Sequence, residues 1–262
     1  VVTPQTIIET AIESDCLYFE LAAKKENLTG AQLAWMPGLE SLSSASVIQR
    51  INQSSMPELC VSEAQHFCVR HHINVMRLYL AAIDPRWDNV LTRDGFTSRG
   101  EFIMIADAKK IQSWSNLEPL ELKLIQSESQ WHERYLMLAK GGHAPDGYST
   151  EAARYIDMEK KKSHTGPLSF YLAYDLDGAA VGSVGLMAVG SICRLKNLVV
   201  HPDVRGRGIA SRLIAQVGSY FVGADQHLVA FAVDHAVRGS LYDRLGFNKA
   251  ATYFEWRKKT GS

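Results

Sequence analysis

The residues best suited to chemistry lie in one turn. Arg205, Gly206, Arg207 and Gly208 stand between an apolar run ending at Val200 and an amphipathic run beginning at Ile209. The order reads as strand, anion-binding turn, helix. Gly206 and Gly208 allow a tight turn and the close approach of a ligand to the backbone, and the amides of roughly Arg207 to Ser211, unpaired at a helix start, point outward. Arg205 and Arg207 add positive charge with no acidic residue inside the turn, and the helix dipole acts in the same sense. A pyrophosphate suits such a turn. Two nucleotide signatures fail on spacing. The P-loop needs a Lys after its last glycine, and none follows Gly208; the dinucleotide fingerprint needs a third glycine, absent here, and an acidic residue at a second strand end, whereas Asp225 lies in a turn.

A second motif lies downstream. The first reads Arg-x-x-Gly-x-Ala (Arg205, Gly208, Ala210) after a strand ending Val200-x-Pro202; the second runs from Leu241 and Tyr242 to Gly246 and Phe247. Together and in this order they resemble the GNAT superfamily of acyl-CoA-dependent N-acyltransferases, over about residues 119 to 257. The resemblance implies acetyl-CoA as co-substrate, with Leu198, Val199, Val200, Arg205, Gly206, Arg207, Gly208, Ile209, Ala210, Ser211 and His235 around it. It implies that strands Ile192–Val200 and His227–Val233 splay to admit the pantetheine arm, with Leu198 and Val200 bonding it through their backbones. His235 stands where the family frequently has Asn.

Acyl transfer to an amine needs a neutral nitrogen and help for the departing thiolate. Tyr242 is the candidate donor: a phenol with a reference pKa of about 10 is protonated at neutral pH, and its position matches the tyrosine that the family uses in this role. No base is identifiable. The strand Ile192–Val200 carries Arg194 and Lys196 where family members often place a carboxylate, so a water-relayed route is expected, with His235 a weaker candidate and His201 a turn residue. In the family, the segment corresponding to Gly142–Tyr148 flanks the acceptor site. Two other readings stay open: a catalytically silent acyl-CoA sensor, which needs only the turn, and an interaction protein, which needs neither motif.

These residues require a scaffold. The chain has 262 residues, more than one typical domain, and a hydrophobic fraction of 46% is ample for a core. Lys+Arg 28 balances Asp+Glu 28, so nothing favours nucleic acid or an anionic membrane. The expected partner is a small-molecule or peptide amine, to a monomer or homodimer. Cys16, Cys60, Cys68 and Cys193 are widely spaced and no long apolar span is present, so a cytoplasmic setting is expected. His66, Cys68, His71 and His72 lie close in sequence but would point to different faces of a helix, so no metal is expected.

Periodicity and punctuation predict an opening helix from Thr3-Pro4 to about Ala23, with a paired hairpin at Ala31–Met36 and Ala45–Ile51. A helix at Ser62–His72, a strand at Asn74–Ala82, a helix at Pro85–Arg93 and a strand at Glu101–Ala106 follow. Asp107–Asn116 is the candidate linker. Then come a strand at Leu120–Ile125, a helix capped by Ser127, a second helix at Ser149–Lys161 with Lys160, Lys161 and Lys162 as a solvated end, and strands at Ser169–Tyr174, Ala180–Ala188 and Ile192–Val200. The helix after the turn should bury Ile209, Leu213, Ile214, Val217 and Phe221. Arg93, Gly95, Phe96 and Phe102 repeat at one offset as Arg244, Gly246, Phe247 and Tyr253, with Leu91 in place of Tyr242. The expected fold is α/β (α+β): a mixed, mostly antiparallel GNAT-type sheet flanked by helices, in two similar tandem modules. Residues 1–110 would be a truncated module without a cofactor loop, and 117–262 the catalytic one.

Overall fold

Thr3 accepts a hydrogen bond from the Thr6 amide at 3.2 Å, and Pro4 fills the first helical position, where no N–H is missed. That start opens α1 (Pro4–Glu20) in a computed structural model that describes residues 3–82, 84–107, 110–111, 119–141, 148–223, 226–233 and 241–260. The following elements are β1 (Lys24–Leu28), β2 (Ala31–Trp35), β3 (Ser46–Gln49), α2 (Pro57–Arg70), β4 (Val75–Leu80), α3 (Pro85–Arg93) and β5 (Thr97–Asp107). The second half has β6 (Glu121–Leu124), α4 (Glu128–Gly141), α5 (Tyr148–Ser163), β7 (Leu168–Tyr174), β8 (Ala180–Val189) and β9 (Ile192–Val200). It continues with α6 (Ile209–Phe221), β10 (His227–Val233), α7 (Leu241–Arg244) and β11 (Asn248–Lys259).

Two compact units result, one of residues 15–102 with 252–262 and one of residues 1–14 with 103–251. The unit built on residues 15–102 orders its strands β1-β2-β3-β4-β11. β1 to β3 form an antiparallel meander, β3 runs parallel to β4, and β11 pairs antiparallel with β4 from Phe254–Leu80 to Lys259–Val75. α2 and α3 cover one face through Cys60, Val61, Ala64, Trp87, Val90 and Leu91, packed with Leu78, Leu80 and Trp256. Each fully buried large apolar side chain there contributes about 1.5–3 kcal/mol. Asp84 caps α3 by accepting from the Arg86 amide at 2.9 Å. A buried charge cluster lies in this unit too: Arg99 reaches Glu255 at 2.6 Å and Glu101 at 3.3 Å, and Arg77 reaches Glu255 at 3.2 Å.

The other unit orders its strands β5-β10-β9-β8-β7-β6. β6 through β9 are antiparallel neighbours, and β9 runs parallel to β10. α4 opens with a reciprocal capping box: Ser127 Oγ accepts from Gln130 N–H at 3.3 Å while Gln130 Oε1 accepts from Ser127 N–H at 3.0 Å. α4 and α5 pack together, and α6 packs on β8 and β9.

The mixed sheet with mainly antiparallel pairing and the two-module plan match the expected fold. The offset that carries Gly95 onto Gly246 also carries the first residue of β5, Thr97, onto that of β11, Asn248. It likewise carries the last residues of β3, α2 and α3 (Gln49, Arg70 and Arg93) onto those of β9, α6 and α7 (Val200, Phe221 and Arg244). Four expectations need correction. β1 lies in a stretch for which the sequence predicts no element, because its polar sequence is that of an exposed edge strand. α2 starts at Pro57, not Ser62, since Pro57 occupies its first turn. Phe221 is exposed, lying against Tyr171 and Tyr220. Lys162 is buried, not solvated, because it falls on the core-facing side of α5 with Tyr155 and Met158.

Candidate functional site

The turn is built as its sequence demands. His201 Nδ1 accepts from the Asp203 amide at 3.3 Å, Pro202 starts a single 3-10 turn, and Arg205 Nε donates to the Val200 carbonyl at 3.3 Å. Gly208 then caps α6 in the left-handed region, at φ 75°, with no side-chain cap. The first bond of the helix runs from Arg212 N–H to Gly208 O, at 3.1 Å, so the amides of Ile209, Ala210 and Ser211 have no partner within the helix. A Cβ at Gly206 or Gly208 would meet nothing within 4 Å, and Arg205, Gly206, Arg207 and Gly208 are all exposed. Asp203, two residues before Arg205, pairs with Lys140 at 2.6 Å, and that bond holds its carboxyl below the ordinary range. The turn therefore combines unpaired amides, a helix N-terminus, two guanidinium groups and open space, which fits a phosphate group.

Gly182 on β8 seats the helix. A Cβ there would lie 3.2 Å from the Val199 carbonyl and 3.3 Å from Leu213, so a larger residue would have to push the first turns of α6 or the neighbouring strand aside by a few tenths of an ångström. Ile209, Leu213, Ile214 and Val217 are buried as expected.

Beside the turn the sheet opens. β9 and β10 pair at Ile192–His227, Cys193–Leu228 and Arg194–Val229, with no pair recorded beyond. β9 continues to Val200 and β10 to Val233, and Lys196 through Val200 are only half-buried although their strand is central in its sheet. Parallel strands that stop pairing leave a gap between their inner edges, and a strand edge beside such a gap can serve an extended ligand. Leu198, Val199 and Val200 line this edge of β9.

On its other side β9 is kinked. Its pairing with β8 shifts between Ser183–Val199 and Gly185–Lys196, so Asn197 and Leu198 oppose Val184 alone; Asn197 sits at φ 48°. This is a β-bulge. Around it lies a network that sequence reasoning missed. Arg134 of α4 binds Glu159 of α5 through Nε and Nη2, both at 2.7 Å, and Ser183 Oγ through Nη1 at 2.7 Å; both charged side chains are sealed from solvent. The available signal was a charge at a core-facing helical position, since Trp131, Arg134 and Met137 repeat at helical spacing.

Tyr242 is the second residue of α7. Its ring meets Phe247 edge-on at 5.3 Å, and its carbonyl accepts from the Phe247 amide at 3.0 Å. Burial pushes its phenol up to about 12. Arg194 is buried with its guanidinium over Phe231, 4.1 Å from the ring centroid, which suits a structural cation better than a proton acceptor. Asp234, His235 and the segment 142–147 lie outside the described residues. His71 stacks on Phe67 at 4.2 Å, Cys68 is buried in the core, and no group of three candidate metal ligands occurs among the described residues. No helix among them is long and apolar enough to cross a membrane.

Known proteins give the geometry a family. Residues 167–249, which include β8, β9, the turn, α6, β10 and Tyr242, match the model of the acetyltransferase (GNAT) domain. Among solved structures, the chain is similar to a conserved protein of unknown function from Staphylococcus epidermidis (TM-score 0.71, 13% identity, 92% of this chain and 95% of the other). It is similar to a GCN5-related N-acetyltransferase from Kribbella flavida (0.68, 13%, 96% and 95%) and to a tandem GNAT protein from the clavulanic acid biosynthesis pathway (0.59, 14%, 90% and 80%). At such identities the likeness is one of fold, and it extends over both modules. The chain thus carries a GNAT acetyltransferase domain across residues 167–249.

Proposed function

We propose that the protein transfers an acetyl group from acetyl-CoA to a primary amine, on a small molecule or a peptide, by direct attack. One observation carries the reading: β9 and β10 diverge beyond Arg194 and Val229 directly before the Arg205–Ser211 turn, so one open backbone edge leads to one anion-binding helix start. The edge at Leu198–Val200 suits the pantetheine arm, and the amides of Ile209 to Ser211, with Arg205 and Arg207, suit the pyrophosphate. His235 belongs to the same reading as a contact at the end of β10.

The reaction balances simply. The nitrogen arrives neutral and bonds to the thioester carbon, the C–S bond breaks with its pair going to sulfur, and one proton passes from nitrogen to sulfur to leave an amide and free CoA. Tyr242 is the proposed general acid. A phenol at about 12 stays protonated throughout the physiological range. It is a weaker acid than a thiol of about 8.5, so its contribution is a hydrogen bond to the sulfur as negative charge develops, with water relaying the proton from the amine.

Of the two modules expected at 1–110 and 117–262, the first is proposed to be a truncated module that has lost the cofactor loop and the second the catalytic module; the compact units differ from these bounds, since residues 1–14 join the second unit and 252–262 the first. The repeat offset supports this: Pro57, which has no N–H, falls where Gly208 stands, Glu58 brings negative charge to the first turn of α2, and Leu91 replaces Tyr242.

A second reading, a silent acyl-CoA sensor, needs only the Arg205–Ser211 turn and the open edge of β9. Free-thiol release from acetyl-CoA in the presence of a panel of primary amines separates the two: amine-dependent release supports transfer, and tight binding without release with any amine supports the sensor.

A further inference from the structure

Arg134 and Glu159 are fully buried, yet burial of an ion pair is a poor source of stability, because the cost of removing two charges from water offsets their attraction. A matched apolar pair would hold α4 and α5 together as well. What the pair does hold is a backbone distortion. Arg134 Nη2 also donates to the Asn197 carbonyl at 3.2 Å, and Glu159 Oε1 accepts from Asn197 Nδ2 at 2.8 Å, so the two partners grip the bulge residue by its main chain and its side chain. Ser183, paired with Val199 next to the bulge, receives Arg134 Nη1 and donates its own proton to the Tyr171 carbonyl at 2.7 Å. The guanidinium lies over Phe170, 4.6 Å from the ring centroid, which fixes its plane. Asn tolerates the left-handed region better than most non-glycine residues, and at φ 48° Asn197 is held there by two charged side chains from two helices.

We propose that the Arg134–Glu159 pair is a positioning device that sets the Asn197 bulge, and through it aims the backbone of Leu198, Val199 and Val200 at the acyl-pantetheine arm of the co-substrate. The proposal rests on the acetyl-CoA reading above. The bulge adds a residue to β9 immediately before its open edge, so it determines which backbone groups of 198–200 face the gap toward β10 and which face β8. Neither charged residue touches the co-substrate; both act through Asn197.

Two probes test this by calorimetry: acetyl-CoA, and adenosine 3′-phosphate 5′-diphosphate, which keeps the phosphates and lacks the pantetheine and thioester. The double variant Arg134→Met/Glu159→Met removes the grip without leaving a lone buried charge. It should fold, by circular dichroism, and bind acetyl-CoA at least about tenfold more weakly while its affinity for the nucleotide stays within about twofold. Asn197→Gly, which keeps the left-handed backbone and loses the amide bond to Glu159, should shift acetyl-CoA affinity in the same direction by about two- to fivefold. Unchanged acetyl-CoA affinity in both variants, or equal losses for the two probes, would overturn the positioning role. Should the wild-type protein bind neither probe, the acetyl-CoA reading itself fails, and the positioning role with it.

Discussion

Arg194 on β9 and Val229 on β10 form the last recorded pair between these parallel strands, and each strand then runs on without the other. The backbone beyond this pair is open for a ligand that can bond to a strand edge. Hydrogen–deuterium exchange therefore offers a local readout. Saturating acetyl-CoA should slow exchange at the amides of Lys196 to Val200 and of Ile209 to Ser211, and leave those of β3 and α2 unchanged. Equal protection in the first module would mean that it binds the ligand as well.

Tyr242→Phe keeps the ring against Phe247 and removes only the hydroxyl. A fall in kcat of at least about tenfold, with the Kd for acetyl-CoA changed by less than about threefold, is expected for a group that acts on the leaving sulfur. Equal kcat would make the residue a packing element.

The pH profile carries a related expectation. The phenol is held up to about 12 by burial, so ionisation of Tyr242 cannot depress turnover below about pH 10. The rate should climb as the acceptor amine loses its proton and then level off. A falling limb between pH 7 and 10 that disappears in Tyr242→Phe would contradict the proposed protonation state.

Glu101 gives a stability test in the other unit. Burial, then the charges of Glu255 and Asp15, raise its pKa above 4.5, while Arg99 and Arg77 pull it back. Its folded pKa is raised, so its contribution is fully present below the unfolded value near 4.5 and lost as pH rises through the folded value. Glu101→Gln cannot lose a proton. The Tm of the variant minus that of the wild type should therefore increase from pH 4.5 to pH 8; a constant difference would show that the carboxyl titrates alike in both states.

Elements whose patterns are local were legible in the sequence. β9 begins and ends at the expected residues because its apolar run is bounded by turn residues, and α3 does so because Asp84 caps it and Pro85 opens it. The capping box at Ser127 and the glycine start of α6 were read from short spacings that carry their own mechanism. β1 was missed because an edge strand has no buried face to leave an alternating pattern, and Lys162 was misjudged because a lysine run looks solvated wherever it points. The Arg134–Glu159 grip on Asn197 joins residues far apart in the chain, and the bulge it holds depends on pairing register, which no single segment encodes. In the candidate site, the turn and Tyr242 were thus visible as motifs, whereas the device that aims the strand between them was not.

The central claim is that one acetyl-CoA binds per chain, with its pyrophosphate at the start of α6. Gly208 stands at φ 75° with open space around it, so Gly208→Val would not collide with the core but would resist the left-handed backbone and crowd the Ile209 to Ser211 amides. The direct measurement is calorimetric titration of acetyl-CoA into the wild type and this variant, with circular dichroism to establish that both are folded. The account predicts one site in the wild type and a loss of affinity of at least about tenfold in a folded Gly208→Val. Unchanged affinity in the variant, or two sites per chain in the wild type, would contradict it.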